Sequence, residues 1–456
     1  MKRYNKHIKT GYKFLPLIPE NWEFRLGLSC FEENKKKNTE LVEKLLLQFK
    51  YGTIVRKANQ EIKKDDELIF AKYTVVEPND IILNGLNLNY DFVSQRVGIV
   101  KEKGVITSAY LALRCRNLYN PFYANYMLKA LDSQKIFHGM GSGVRLTLGY
   151  PEFSRIQFPV PPRNEQDQIV RYLDWQVSKI NHLVHGYQSQ IKLLKERRQT
   201  IIDRAATQGI NPDVRYKDSG ANWIPQIPEH WNMVYSKKLF AQRKDKAFPN
   251  DIQLTSSQKY GIISQDEFMK REGRRLTVVV TGSDILKHVG IGDFVISMRS
   301  FQGGLEYSYV EGKISSAYVM LIPNKEKVYD EYFKWLLKSK SYIKALQGTS
   351  DLVRDGQALR YANFAKVYLP EIPLEEQKAI ADYINSEVAR IDNALPTFQK
   401  KIELLREYRT RLISDVVTGQ IDVRDVVIPE YTPEDDTEID VVDAPDDTEE
   451  VAEDAE

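Results

Sequence analysis

Residues 161–180 read PPRNEQDQIVRYLDWQVSKI, and residues 373–391 read PLEEQKAIADYINSEVARI. At an offset of 211, Pro162 aligns with Pro373, Glu165 with Glu376, Gln166 with Gln377, Ile169 with Ile380 and Ile180 with Ile391. The apolar positions that follow are spaced four, three, four, three. In the first copy they are Leu173, Val177, Ile180, Val184, Tyr187, Ile191, Leu194, Arg198, Ile201 and Ala205. In the second they are Ile384, Val388, Ile391, Leu395, Phe398, Ile402, Leu405, Arg409, Leu412 and Val416. This is a heptad seam, the pattern of a helix that buries one stripe against another helix. Each seam spans about 48 Å at about 1.5 Å per residue, and the obvious partner of one is the other. The two seams share one polar step, Arg198 and Arg409. A polar seam residue can fix register, or its long stem can snorkel to the seam's edge.

The duplication extends outward. GYKFLPLIPENW (11–22) parallels GANWIPQIPEHW (220–231), TSAYLAL (107–113) parallels SSAYVML (315–321), and FSRIQFPVP (153–161) parallels FAKVYLPEI (364–372). Matches in one order at nearly constant offset make the chain two copies of one unit, roughly 11–211 and 220–424. Short apolar runs bounded by turn residues, such as DIILNGLNLN (80–89), GVITSAYLALR (104–114), GDFVISMRS (292–300) and KISSAYVMLIP (313–323), read as strands and tight turns. PFYANYMLKALDSQKIF (121–137) and YDEYFKWLLKSKSYIKALQ (329–347) read as helices.

The expected fold class is α/β (α+β): two similar globular domains separated by a pair of long antiparallel coiled-coil helices, a pseudo-two-fold tandem repeat. The expected segments are 1–22, completing the repeat; 23–160, the first domain; 161–211, the central helix; 212–231, a linker and repeat start; 232–370, the second domain; 371–424, the distal helix; and 425–456, a tail. The glycines of TQGI (207–210) and TGQI (418–421) mark the helix ends. His185-Gly186 and the equivalent Pro396 predict a bend in each helix. The chain ends are expected close together, as in a ring.

Composition agrees with a soluble multidomain protein: 456 residues, 42% hydrophobic and 28% charged. There is no apolar run long enough for a membrane helix, and the basic N-terminus lacks a signal core. Cys30 and Cys115 are the only cysteines, which points to a reducing, cytoplasmic setting. The net charge of +2 is uneven: residues 425–456 hold 15 acids and no Lys or Arg, leaving residues 1–424 at +17. A basic body suggests a polyanionic partner, and so polar a tail is expected to be disordered. No phosphate loop of the G-x-x-x-x-G-K-[ST] type is present. The six His and two Cys show no metal-ligand spacing. HGMGSG (138–143) reads as a flexible loop, and Asp80 and Asp293 as turn residues before strands.

The order of these motifs resembles a known family. A segment ending IPEHW, a variable domain, then P-P/L-x-E-Q opening a heptad helix that ends near T-G, all written twice, looks like the DNA-specificity subunit of a Type I restriction–modification enzyme. The resemblance covers about residues 11–424; Arg163-Asn164 and Pro396 depart from the usual pattern. It implies a non-catalytic, cytoplasmic bacterial or archaeal protein in which each domain is a target-recognition domain reading half of a bipartite, asymmetric double-stranded DNA site. The helices would act as spacer and as dock for two methyltransferase subunits. The chain itself would carry no cofactor and no metal. S-adenosylmethionine is implied for the methyltransferases, which methylate adenine N6 after flipping it from the duplex, and ATP and Mg for motor-nuclease subunits that cleave unmodified DNA. Two recognition domains about 34 Å apart reach one face of the duplex.

Under that resemblance, Asn87, Asn89, Gln95 and Arg96 in the first domain, with Arg299, Ser300 and Gln302 in the second, are candidates for base contacts, since their side chains suit adenine or guanine edges. Arg145 and Arg354, shared between copies, together with Lys57, Lys72, Arg274 and Arg275, are candidates for phosphate contacts, because a shared residue cannot encode different specificities. Arg198 and Arg409 are the candidates for coiled-coil register. Two other readings stand beside this one: a stand-alone DNA nuclease or modification enzyme, and a coiled-coil scaffold that never touches DNA.

Overall fold

The computed structural model describes residues 2–12, 14–50, 52–57, 67–89, 92, 94–141, 146–257, 259–273, 285–296, 305–349 and 360–434. The chain divides into two compact units. Unit 1 comprises Met1–Ser189 and resumes at Phe398; unit 2 is Gln190–Thr397. The division cuts the central helix (Arg163–Gln208) and the distal helix (Leu374–Val417) near their midpoints. Each unit therefore owns one mixed domain, the first half of one long helix and the second half of the other.

In unit 1 the domain is built on a four-stranded antiparallel sheet ordered Phe31–Glu33, Leu111–Cys115, Ile81–Leu83, Val97–Ile99. In unit 2 the order is Phe240–Gln242, Val319–Pro323, Phe294–Ile296, Leu305–Tyr307. The centre of each sheet has the same register logic, with Leu113 opposite Ile81 in one and Leu321 opposite Phe294 in the other. Strand side chains alternate between faces. In unit 2, Phe240, Phe294, Ile296, Val319 and Leu321 point into one core with Tyr332 and Phe333, while Val295 and Met320 point into a smaller core with Leu254, Ile262, Val289 and Ile314. Unit 1 repeats the smaller core with Leu47, Ile54, Val76, Ile82, Val100, Ile106 and Ala112. The mixed α/β class and the two-domain layout thus agree with the pattern in the sequence.

Two details differ from the pattern. GVITSAYLALR holds two strands, Gly104–Ile106 and Leu111–Cys115, because Tyr110 N–H closes a turn on the Thr107 carbonyl. The expected helix over 329–347 is two, Asp330–Leu336 and Lys340–Gln347. Ser339 caps the second by accepting from Tyr342 N–H, an arrangement that competes with continuing the first.

The motif that opens each long helix is a clamp. The Gln166 side chain is fully buried. Its carbonyl accepts from Asn120 N–H (2.7 Å), and its amide donates to the carbonyls of Leu118 (2.9 Å) and Pro161 (2.8 Å). Gln377 does the same with Tyr329 N–H (2.8 Å) and the carbonyls of Lys327 and Ile372 (2.8 Å each). Each Gln thus ties its helix to the loop that starts a domain helix. The neighbouring Glu ties it to the repeat's opening segment. Glu165 accepts from Trp22 Nε1 (2.8 Å), Asn21 Nδ2 (3.0 Å) and the Tyr4 hydroxyl, and Glu376 from Trp231 Nε1 (3.0 Å) with His230 against its other oxygen (2.8 Å). A further tyrosine secures each domain to the far end of the other long helix: Tyr123 donates to the Val417 carbonyl (2.8 Å) in unit 1, Tyr332 to the Ala206 carbonyl (2.7 Å) in unit 2.

The helical segments run antiparallel within each unit. In unit 1, Asn181 meets Arg409 and Tyr187 meets Phe398; in unit 2, Arg198 meets Asp392 while Ile202 and Ala206 share a core with Ile384 and Val388. Positions 181 and 392 are themselves related by 211, so the two polar seam steps face equivalent partners. Arg409 is buried and donates to Asn181 Oδ1 at 3.0 Å. Arg198 is half-buried and pairs with Asp392 at 2.9 Å. Both long helices are continuous, Pro396 included. Proline removes one backbone donor, and the buried seam residues Val388, Ile391 and Ile402 flank it.

Both helices stop at a left-handed glycine, Gly209 (φ 78°) and Gly419 (φ 72°). A Cβ on Gly209 would sit 3.4 Å from Trp231, whereas one on Gly419 would overlap the Pro19 ring and lie 3.1 Å from Trp22. Gly209→Ala should therefore cost about 1–2 kcal/mol of left-handed strain, and Gly419→Ala about 3 kcal/mol, since Pro19 must also move. Denaturant titration of the two variants checks this ranking; equal costs would contradict it.

In unit 1, Asp422 N–H donates to the Lys2 carbonyl (3.0 Å), and the Lys2 amine pairs with Asp425 (2.5 Å). Residues 425–434, expected as the start of a disordered tail, lie along the central helix instead. Gln168 Nε2 donates to the carbonyls of Val423 (3.1 Å) and Val426 (2.8 Å), Glu434 N–H donates to Ser178 Oγ (2.8 Å), and the Glu434 carboxylate meets His182 (3.0 Å) and His185 (2.5 Å). The bond with His185 holds the Glu434 carboxyl below the usual range. Backbone groups that composition cannot weigh supply most of this docking.

Candidate nucleic-acid interface

In unit 1 the loop that bears the base-contact candidates leaves the central strand Ile81–Leu83 and returns as Val97–Ile99. Asp80, buried before the first strand, accepts from Glu77 N–H (3.0 Å), Asn34 Nδ2 (3.0 Å) and two nitrogens of Arg114 (2.9 and 3.0 Å). Asp293 plays this part in unit 2, with Gly290 N–H (2.8 Å) and Arg243 (2.6 and 3.0 Å). Each carboxylate closes a turn and anchors the strand from which a loop departs.

The first turn of the loop, residues 84–88, is held from two sides. On one side Leu88 N–H donates to the Leu146 carbonyl (3.1 Å) and Leu148 N–H to the Gly85 carbonyl (2.9 Å). A Cβ on Gly85 would lie 2.5 Å from the Leu148 oxygen, so only glycine fits there. On the other side is Arg96, 1% exposed. Its guanidinium donates to the carbonyls of Leu86 (2.7 Å), Asn84 (3.1 Å) and Asn87 (3.5 Å). Its own N–H donates to Asp132 Oδ2 (2.7 Å), and burial raises the Asp132 carboxyl above the usual range. Arg96, a candidate for base contact in the sequence, has an enclosed guanidinium whose terminal nitrogens donate to these carbonyls.

Asn87 is exposed and left-handed, at φ 52°. Asn89 is half-buried, and Gln95 is exposed beside Gly52. Phe92, half exposed, stacks on the buried His138 at 4.7 Å. His138 belongs to a short turn of helix, Ile136–Gly139, where a flexible loop is the expectation. Lys57 and Lys72 are exposed. Asn87 and Gln95 belong to one loop. Arg145, Arg274, Arg275, Arg299, Ser300, Gln302 and Arg354 lie outside the described residues. Asp132 was missed by sequence reasoning, because its role depends on the backbone N–H of Arg96, 36 residues away.

Among the described residues no group of three His, Cys, Asp or Glu side chains could hold a metal ion. No described helix is long and apolar enough to cross a membrane. Burial pushes the thiols of Cys30 and Cys115 up to about 12, which keeps them protonated and poorly nucleophilic.

No protein-family model matches the chain. It is 24% identical over 425 residues to the specificity subunit of the Type I restriction enzyme MjaVIII from Methanocaldococcus jannaschii, covering 90% of this chain and 95% of the relative. It is 23% identical over 436 residues to a second protein of that organism, the putative Type I restriction enzyme MjaX specificity subunit, covering 89% and 95%. Its fold is that of a chain from a solved structure concerned with complex assembly and conformational transition of the type I R-M system. The TM-score there is 0.64 at 12% identity, covering 89% of this chain and 99% of that one. In sequence, over about nine tenths of its length, the chain is similar to specificity subunits of Type I restriction enzymes, and its duplicated clamp motifs accompany that likeness.

Proposed function

We propose that the chain is the DNA sequence-recognition subunit of a Type I restriction–modification complex and carries no catalytic centre of its own. Each domain reads one half of a bipartite, asymmetric double-stranded site. The long helices set the distance between the halves and dock two methyltransferase subunits. Those subunits supply S-adenosylmethionine chemistry at adenine; with motor-nuclease subunits using ATP and Mg, the complex cleaves unmodified DNA. The observation that carries the reading is the repetition of the two units contact by contact, at Gln166 and Gln377, Glu165 and Glu376, Tyr123 and Tyr332, around sheets of one strand order. A framework kept twice, with loops that differ, suits two readers of different sequences. The basic body supports phosphate affinity that falls steeply with salt.

Methylome sequencing of cells that express the chain with its methyltransferase tests this. A two-part motif is expected. Exchanging residues 23–160 with 232–370 should exchange the halves and preserve their spacing. A one-part motif, or one indifferent to the exchange, would overturn the reading, and so would cleavage or methylation of DNA by the purified chain alone.

A further inference from the structure

We infer that Asn87 is a base-reading residue of the first domain and that the buried Arg96 is the positioning residue that presents it. The inference rests on the recognition role proposed above and assigns a part of it to two side chains.

A residue that reads a base must offer hydrogen-bonding groups to solvent from a backbone that does not move, because ordering a loose loop on binding consumes affinity and blurs discrimination. The turn at 84–88 meets that requirement. Arg96 fastens the carbonyls of three of its residues, Asn84, Leu86 and Asn87. Leu146 and Leu148 fasten the turn laterally through Leu88 and Gly85. Leu88 is fully buried and acts as a plug directly after Asn87. Asn84 Oδ1 also accepts from Leu86 N–H (3.2 Å). Asn87 is the exposed residue of this turn. Its amide offers a donor and an acceptor side by side, the pair that matches N7 and N6 of adenine in the major groove. Arg96 reaches the turn from the position just before the strand on which the loop returns, so the loop's two ends are locked to each other, and Asp132 holds Arg96 by its backbone N–H.

Asparagine also tolerates left-handed backbone better than most residues, so conformation alone could select it at position 87. Asn87→Gly separates the two roles: glycine keeps the left-handed backbone and removes the amide. The full chain in complex with its methyltransferase is incubated with a randomised duplex DNA library, and the bound fraction is sequenced. Asn87→Gly is expected to lower discrimination about tenfold or more at one position, or two adjacent positions, of one half-site. The other half-site and the thermal midpoint should stay as in the wild type. Arg96→Lys keeps a buried cation but lacks the fork that reaches several carbonyls, and should loosen the same positions. Wild-type preference at every position in Asn87→Gly overturns the inference, as does equal loss across both halves. Loss of stability in Arg96→Lys with preference intact assigns Arg96 to stability alone. A wild-type complex that selects no sequence refutes the recognition role itself, a result distinct from either.

Discussion

Replacing Gln166 with Ala should destabilise the protein by about 3–4 kcal/mol, because three backbone groups, two of them buried, lose their partners at once. The amide is fully enclosed, and it alone satisfies Asn120 N–H while also serving the Leu118 and Pro161 carbonyls. Against a typical domain stability of about 5–15 kcal/mol, that is a large fraction. Gln377→Ala should cost a similar amount, since its three bonds have the same geometry in unit 2. Gln166→Glu should not restore stability: a carboxylate accepts from Asn120 but cannot donate to either carbonyl. Calorimetry of the full chain measures both variants, and a cost near 1 kcal/mol for Gln166→Ala would show that water replaces the clamp.

Arg409→Leu should cost about 3 kcal/mol, the usual penalty for breaking a buried polar pair by removing one member. Arg409 is 8% exposed and its partner Asn181 is fully buried. Asn181→Leu should cost about as much, since it takes an acceptor from a buried guanidinium. The double variant should recover part of the two single losses, as an apolar seam replaces this bond. The equivalent step behaves differently. Arg198 and Asp392 are 32% and 47% exposed, so Arg198→Leu should cost under about 1 kcal/mol. Equal costs at the two Arg positions would mean that exposure does not set the value of this step.

Much of the fold is legible in the text of the chain. The seam spacing announces two long helices, and the offset of 211 announces that whatever one half builds, the other builds too. Turn residues separate strands from helices closely enough for the mixed class, though TSAY hides a turn inside an apolar run, and Ser339 breaks a helical pattern by capping. The Glu-Gln pair is visible as a repeat, but its work is not: Glu165 meets Trp22 across 143 residues, Gln166 meets Leu118 across 48, and neither separation is marked by any local pattern. The candidate site is less legible still. Asn87, Gln95 and Arg96 look alike as polar residues of one loop, yet the fold exposes the first two and buries the third under the carbonyls it holds.

Sequence by itself determined the duplication, the heptad helices, the mixed class of each domain and the family resemblance, because each is a periodicity or an order, and both survive in one dimension. Only the tertiary structure decided that each compact unit combines the start of one long helix with the end of the other, that residues 425–434 lie along the central helix, and that Arg96 is a brace. Those outcomes depend on which backbone groups meet across long separations and on what burial costs a charge that finds partners there, and neither is written in local spacing.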